Sequence, residues 1–200
     1  MKPLLIASIA SFFLLTTAQA AGDAEAGKSK SAMCAACHGP DGNGPAPTFP
    51  KLAGQHAAYL AKQLAEYKNG ERQNATMNGM AAALSEQDIA DLAAFYSSQQ
   101  VTLGKAAEDK VEAGEAVYRA GNTATGVSAC AACHGPTGSG NPMANFPSLS
   151  GQHADYTVLQ LKAFRAGERA NDAGSMMRGV AKKMTDAEIE AVAQYIQGLH

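Results

Sequence analysis

Two cysteines and a histidine recur in the order Cys-x-x-Cys-His: Cys34, Cys37 and His38 in "CAACHGPDGNG", then Cys130, Cys133 and His134 in "CAACHGPTGSG". These are all four cysteines of the chain. The spacing suits one chemistry. Two thiols add across the two vinyl groups on one porphyrin edge, forming thioethers, and the adjacent histidine reaches under the ring to the iron. Cys-x-x-Cys-His is the attachment sequence for c-type haem. Zinc would have to join two Cys pairs roughly 95 residues apart and would leave each adjoining histidine without a role. Thioredoxin-like chemistry needs a βαβ setting, which the sequence lacks. Two disulfides suit an oxidising compartment but also leave the histidines unexplained. His38 and His134 are therefore candidate proximal ligands, and two covalently bound haem c groups, with their iron, are the expected cofactors.

The sixth ligand of each iron is a methionine, a second histidine or nothing. A ligand needed twice should recur at equivalent positions. Ser85 with Asp88, and Thr185 with Glu188, stand at capping-box spacing. Met77 and Met177 each lie eight residues before these caps, in polar, glycine-containing stretches, "NATMNGM" and "AGSMMRG", read as loops. Met80, Met176 and Met184 face Val180, Thr76 and Leu84, and Met143 has no methionine partner. A single methionine is more often core filler than ligand, so the repeated pair Met77 and Met177 is favoured. His56 and His153, both in "GQH", are the rival pair. The alternative for them is to cap or solvate their turn. His200 has no counterpart and is assigned no role.

The elements that position these residues also come in pairs. Helices are expected before the cysteines, in "DAEAGKSKSAMC" and "VEAGEAVYRAG", and after each "GQH". In the first middle helix Leu60, Leu64 and Tyr67 share a face, and Gly70 ends it. The last helix of each unit carries an apolar stripe: Ile89, Leu92, Ala93 and Tyr96, then Ile189, Val192, Ala193 and Ile196, with Gly198 a stop signal. Long Gly/Pro-rich loops such as "GPDGNGPAPTFPKLAG" lie between, and no segment alternates as a strand does. Loops that long in small domains imply that they wrap something. The expected fold is all-α, two tandem domains of short helices and long loops around covalently bound haem. The first domain is 21–100 and the second 101–200, joined in the polar stretch "SSQQVTLGKAAEDK".

Residues 1–20 read as an export signal. Lys2 precedes the apolar run Leu4 to Leu15, and "AQA" supplies small residues for cleavage after Ala20. The run is shorter than the roughly 20 residues needed to span hydrocarbon. The alternative is an uncleaved anchor. No other long apolar run follows, so a soluble periplasmic protein is expected. The 200-residue chain is 46% hydrophobic but only 6% aromatic, and it has a net charge of −2. That composition favours a folded chain over a disordered one. With no basic block, nucleic acid is excluded as a partner.

With these residues in view, the chain resembles the dihaem cytochrome c4 family, a tandem of class I cytochrome c domains. The strings that carry the resemblance are "CAACHGPDGNG", "FPKLAGQHAAYLAKQL" and "MRGVAKKMTDAEIEAVAQYIQGLH". The resemblance implies haem attachment at Cys34, Cys37, Cys130 and Cys133, with axial pairs His38/Met77 and His134/Met177. It implies that Pro50 and Pro147 offer carbonyls that orient the imidazoles. It also implies that Gly27 and Gly114 allow close packing on the last helix near Phe95 and Tyr195. The loop before Met77 is three residues shorter than its partner, a departure within the repeat. The function implied is outer-sphere Fe(III)/Fe(II) electron transfer rather than catalysis. The implied donor is a cytochrome bc complex and the acceptor a terminal oxidase, which allows loose membrane association through those partners. A dihaem peroxidase with one five-coordinate iron, and a permanently bound oxidase subunit, are the competing classes.

Overall fold

The computed structural model describes residues 22–200. The expected signal peptide, 1–20 with cleavage after Ala20, lies outside the described residues. Ten α-helices occur among the described residues, five in each half. The first half contains α1 (Ala24–Lys30), α2 (Ala32–His38), α3 (Ala57–Asn69), α4 (Ala75–Ala82) and α5 (Glu86–Ser97). The second contains α6 (Glu108–Ala120), α7 (Ala131–His134), α8 (Ala154–Ala166), α9 (Met176–Ala181) and α10 (Asp186–Gly198). Strand pairing among the described residues is limited to the isolated bridges Asn122–Val127 and Asn141–Phe146. The all-α expectation holds. No helix among these residues is long and apolar enough to cross a membrane.

Each half is organised by one close helix crossing, α1 on α5 and α6 on α10. A glycine makes each crossing possible. A Cβ on Gly27 would sit 2.0 Å from the Asp91 carbonyl oxygen and 2.8 Å from the Phe95 Cβ. A Cβ on Gly114 would sit 2.3 Å from the Ala191 oxygen and 2.7 Å from the Tyr195 Cβ. Any side chain would force the backbones apart. Both last helices start with complete capping boxes, Ser85 with Asp88 and Thr185 with Glu188. The middle helices α3 and α8 end at left-handed Gly70 and Gly167.

The two halves keep separate apolar cores. Leu60, Leu92, Ala93, Phe95 and Tyr96 form one. Val117, Tyr118, Val127, Leu161, Met184, Ile189, Val192, Ile196 and Leu199 form the other. The segment that joins them, from Ser98 to Ala107, contains no helix.

Three local features differ from the sequence expectation. Met77 and Met177 lie in helices α4 and α9 rather than in loops. Asn74 supplies the missing start signal for α4, because its side chain accepts the Met77 N–H at 3.0 Å. Before α9, a 3-10 turn over Ala173–Ser175 takes up the additional residues, and Asp172 accepts both the backbone N–H and the Nε–H of Arg178. Finally, the Cys-x-x-Cys-His motifs are themselves helical. In the first half α2 follows α1 across a break at Ser31. In the second, the bridged segment Asn122–Val127 separates α6 from α7.

Candidate haem sites and the seam between them

None of the four cysteines is paired in a disulfide. A helical turn places Cys34 and Cys37, and likewise Cys130 and Cys133, one turn apart, with the histidine next along the chain. Burial pushes the Cys34 thiol up, and pushes Cys130 up to about 11, so both are held neutral.

His38 and His134 are buried and held alike. His38 Nδ1 lies 2.9 Å from the Pro50 carbonyl oxygen, and His134 Nδ1 lies 2.9 Å from that of Pro147. Burial lowers the pKa of both rings, against the opposing pull of those carbonyls. Each ring is therefore neutral, with its proton on Nδ1, which leaves Nε2 as the nitrogen available to a metal. Phe49 and Phe146 stand beside the two rings, each at a centroid distance of 6.2 Å. The donor set fits covalently bound haem: two cysteines one helical turn apart and one imidazole of fixed tautomer.

Met77 is half-buried on α4, and Met177 is half-buried on α9, packed against the second core. Met184 is a core residue at 4% exposure, and Met143 is 94% exposed. The rival histidines are engaged elsewhere. His56 Nε2 lies 2.9 Å from the Ser139 carbonyl oxygen and His153 Nε2 lies 2.7 Å from that of Gly44, each in the opposite half.

These contacts belong to a polar seam with approximate two-fold symmetry. The Gln152 side chain accepts from Lys51 N–H at 2.8 Å and donates to the Lys51 carbonyl at 2.9 Å. The Gln55 side chain does the same to Ser148, at 2.9 and 2.8 Å. Further along, the buried Arg72 donates to Gln63 at 2.7 Å, Gln160 at 2.9 Å and Tyr156 at 3.0 Å. Its counterpart Arg169 donates to Gln160 at 2.9 Å, Tyr59 at 2.9 Å and Gln63 at 3.1 Å. Sequence reasoning did not assign these seam residues. The repetition of "GQH" and "GER" in both units was the available signal.

The cytochrome c family pattern matches residues 24–100 and 111–200. Cytochrome c4 of Pseudomonas aeruginosa is 48% identical over 201 residues, covering 100% of both chains. The thiosulfate dehydrogenase electron acceptor of Stutzerimonas stutzeri is 40% identical over 95% of this chain and 92% of its own. The crystal structure of reduced recombinant cytochrome c4 from Pseudomonas stutzeri superposes with a TM-score of 0.88 at 50% identity, covering 90% of this chain and 100% of that one.

Proposed function

The chain belongs to the cytochrome c4 family, and from that premise we propose that it is a periplasmic shuttle that carries electrons along a respiratory chain, from a cytochrome bc complex to a terminal oxidase. Family membership makes it a dihaem c-type electron carrier with two covalently bound haem c groups. Under this proposal Cys34 and Cys37 hold one haem, and Cys130 and Cys133 the other. The axial pairs are His38 with Met77 and His134 with Met177. The first domain spans 21–100 and the second 101–200, after removal of the export signal 1–20.

The observation that carries the ligand assignment is the equivalence of the two sites. Both imidazoles are held through Nδ1 by a proline carbonyl at 2.9 Å. Met77 and Met177 sit on corresponding helices, while His56 and His153 spend their Nε2 atoms on carbonyls across the seam. When bound, each haem supplies an iron that cycles between Fe(III) and Fe(II), and methionine ligation favours a positive potential. The protein's own residues do the rest. Pro50 and Pro147 fix tautomer and ring plane. The histidine and methionine of each pair would hold the iron between them, leaving no open position for substrate or peroxide, so the chemistry supplied would be outer-sphere electron transfer. The relatives named thiosulfate dehydrogenase electron acceptor favour a second kind of donor, a substrate-oxidising dehydrogenase.

The test is the optical spectrum of the oxidised protein, in wild type and with Met77→Ala and Met177→Ala. Methionine sulfur on ferric haem gives a weak red charge-transfer band. Each substitution is expected to remove about half of it. A missing band, or a substitution without effect, overturns the axial pairs and brings the peroxidase class forward.

A further inference from the structure

The two glutamines of the seam each grip two consecutive peptide groups, and the one taken by the side-chain oxygen is the group that holds the histidine. The Pro50–Lys51 peptide accepts the His38 Nδ1 proton at its carbonyl, 2.9 Å away. Its N–H, on Lys51, donates to Gln152 Oε1 at 2.8 Å. The relay thus runs from His38 through one amide to a side chain of the other domain. The same relay runs the opposite way. His134 Nδ1 meets the Pro147 carbonyl at 2.9 Å, and Ser148 N–H, in the same peptide, donates to Gln55 Oε1 at 2.9 Å.

Each glutamine is itself fixed. Gln152 Oε1 also accepts from His153 N–H at 3.0 Å, and its amide nitrogen donates to the Lys51 carbonyl. Gln55 Oε1 also accepts from His56 N–H at 3.0 Å, and its amide nitrogen donates to the Ser148 carbonyl. Gln55 is 8% exposed and Lys51 is 8% exposed, so water competes poorly for the clamped residue of the first relay and for the glutamine of the second.

We infer that Gln55 and Gln152 are positioning residues acting across the seam, each setting the reduction potential of the haem in the opposite domain through the peptide that holds its histidine. The inference rests on the proposal that His38 and His134 are the iron ligands. An amide that donates through its N–H is a stronger acceptor at its carbonyl, because the two hydrogen bonds polarise the same resonance system; the gain is about 10–30% per bond. A stronger acceptor draws the Nδ1 proton away and makes the imidazole a more electron-rich ligand. That stabilises the ferric state and lowers the potential. Losing the clamp therefore raises the potential of the opposite haem and leaves the glutamine's own haem in place. Parting the seam would raise both together.

The experiment uses the intact holoprotein labelled with nitrogen-15 at histidine, titrated redox-wise and read by NMR. Hyperfine-shifted ring signals of His38 and His134 report the two haems separately. Their absence at either histidine would defeat the ligand proposal itself, independently of the glutamines. With the ligands established, Gln152→Leu is expected to raise the N-terminal haem potential and Gln55→Leu the C-terminal one. The expected change is about threefold in the one-electron equilibrium, or about 28 mV at 59 mV per tenfold. A shift confined to the glutamine's own domain, equal shifts at both haems, or no shift overturns the inference.

Discussion

The two domains share a frame yet fasten its central crossing by different chemistry. In the N-terminal domain α1 meets α5 through a buried carboxylate. Asp91 accepts from Asp23 N–H at 2.9 Å, Lys30 at 2.6 Å and Gln87 at 2.8 Å. At the equivalent places in the C-terminal domain stand Val117 for Lys30 and Ala191 for Asp91, and the contact is apolar. Aromatic bulk is also exchanged. The N-terminal domain has Ser31 on the first side of the crossing and Tyr96 on the last helix. The C-terminal domain has Tyr118 on the first side and Ile196 on the last helix. What is shared is what touches the ligand chemistry: the glycine crossing, the helical Cys-x-x-Cys-His turn and the proline carbonyl. What differs lies one layer out, where total volume matters more than which helix supplies it.

The largest expected effect removes what the domains share. Gly27→Ala and Gly114→Ala drive a methyl into a backbone carbonyl at each crossing, where neither helix can yield without losing the packing of its core. Each should cost ~3 kcal/mol or more of its own domain's stability, read by denaturant unfolding. The N-terminal variant should be the worse, since its Cβ lies nearer the carbonyl, 2.0 Å against 2.3 Å. A loss under about 1 kcal/mol in either would contradict the tight crossing.

Next comes the seam that joins the domains. Arg72 is 6% exposed, and Arg72→Ala would leave Gln63, Gln160 and Tyr156 short of a donor. We expect a loss of about 2 kcal/mol and poor rescue by Arg72→Lys, because a single ammonium cannot serve three partners in a fixed fork. Calorimetry of the two substitutions checks this. Full rescue by lysine would show that charge alone matters at this position.

Much of this was legible in the residues alone. The capping boxes are local signals, and both are complete in the structure; the close approach at Gly27 and Gly114, which the family resemblance implies, is also present. The helicity around Met77 was hidden because its start signal, Asn74, lies in a run of polar residues where the apolar stripe is weak. The seam was hidden for a different reason. Gln55, Arg72 and their partners are polar residues that read as surface, and only the docking of the two repeats buries them. The repetition of "GQH" and "GER" marked these positions but could not say what they touch.

Acid should separate the domains again. Hydrogen bonds from Asp23 N–H and then Lys30 and Gln87 hold the Asp91 carboxyl down to about 2. Its folded value is below its unfolded one of roughly 3.9, so the folded state binds fewer protons. The stabilisation is therefore full above about pH 4 and is lost as pH falls towards 2. Asp88, paired with the same Lys30 at 2.6 Å, is depressed as well. Domain two has depressed carboxylates of its own, at Asp172, Asp186 and Glu188, the last accepting from Asn122 just beyond α6, but Ala191 stands where Asp91 does. Asp91→Asn should weaken the acid dependence of the N-terminal domain, leaving the share due to Asp88, and leave the C-terminal one unchanged, as followed by haem absorbance during acid titration. An unchanged N-terminal profile would remove Asp91 from the account.

The smallest effect tests the exchanged tyrosines. Tyr118 is fully buried, and its hydroxyl donates to the Gly135 carbonyl at 2.7 Å, immediately after His134. Tyr96 is also buried, yet its hydroxyl makes no hydrogen bond of good geometry. Tyr118→Phe should therefore destabilise by about 1 kcal/mol, since it gives up the hydrogen bond of a buried hydroxyl, whereas Tyr96→Phe should be neutral or slightly stabilising. Thermal unfolding of the two holoproteins decides it. Equal costs would mean that the hydroxyls do the same work from opposite helices. Opposite signs would mean that only the C-terminal domain has turned its displaced aromatic into an anchor for the residue that follows His134.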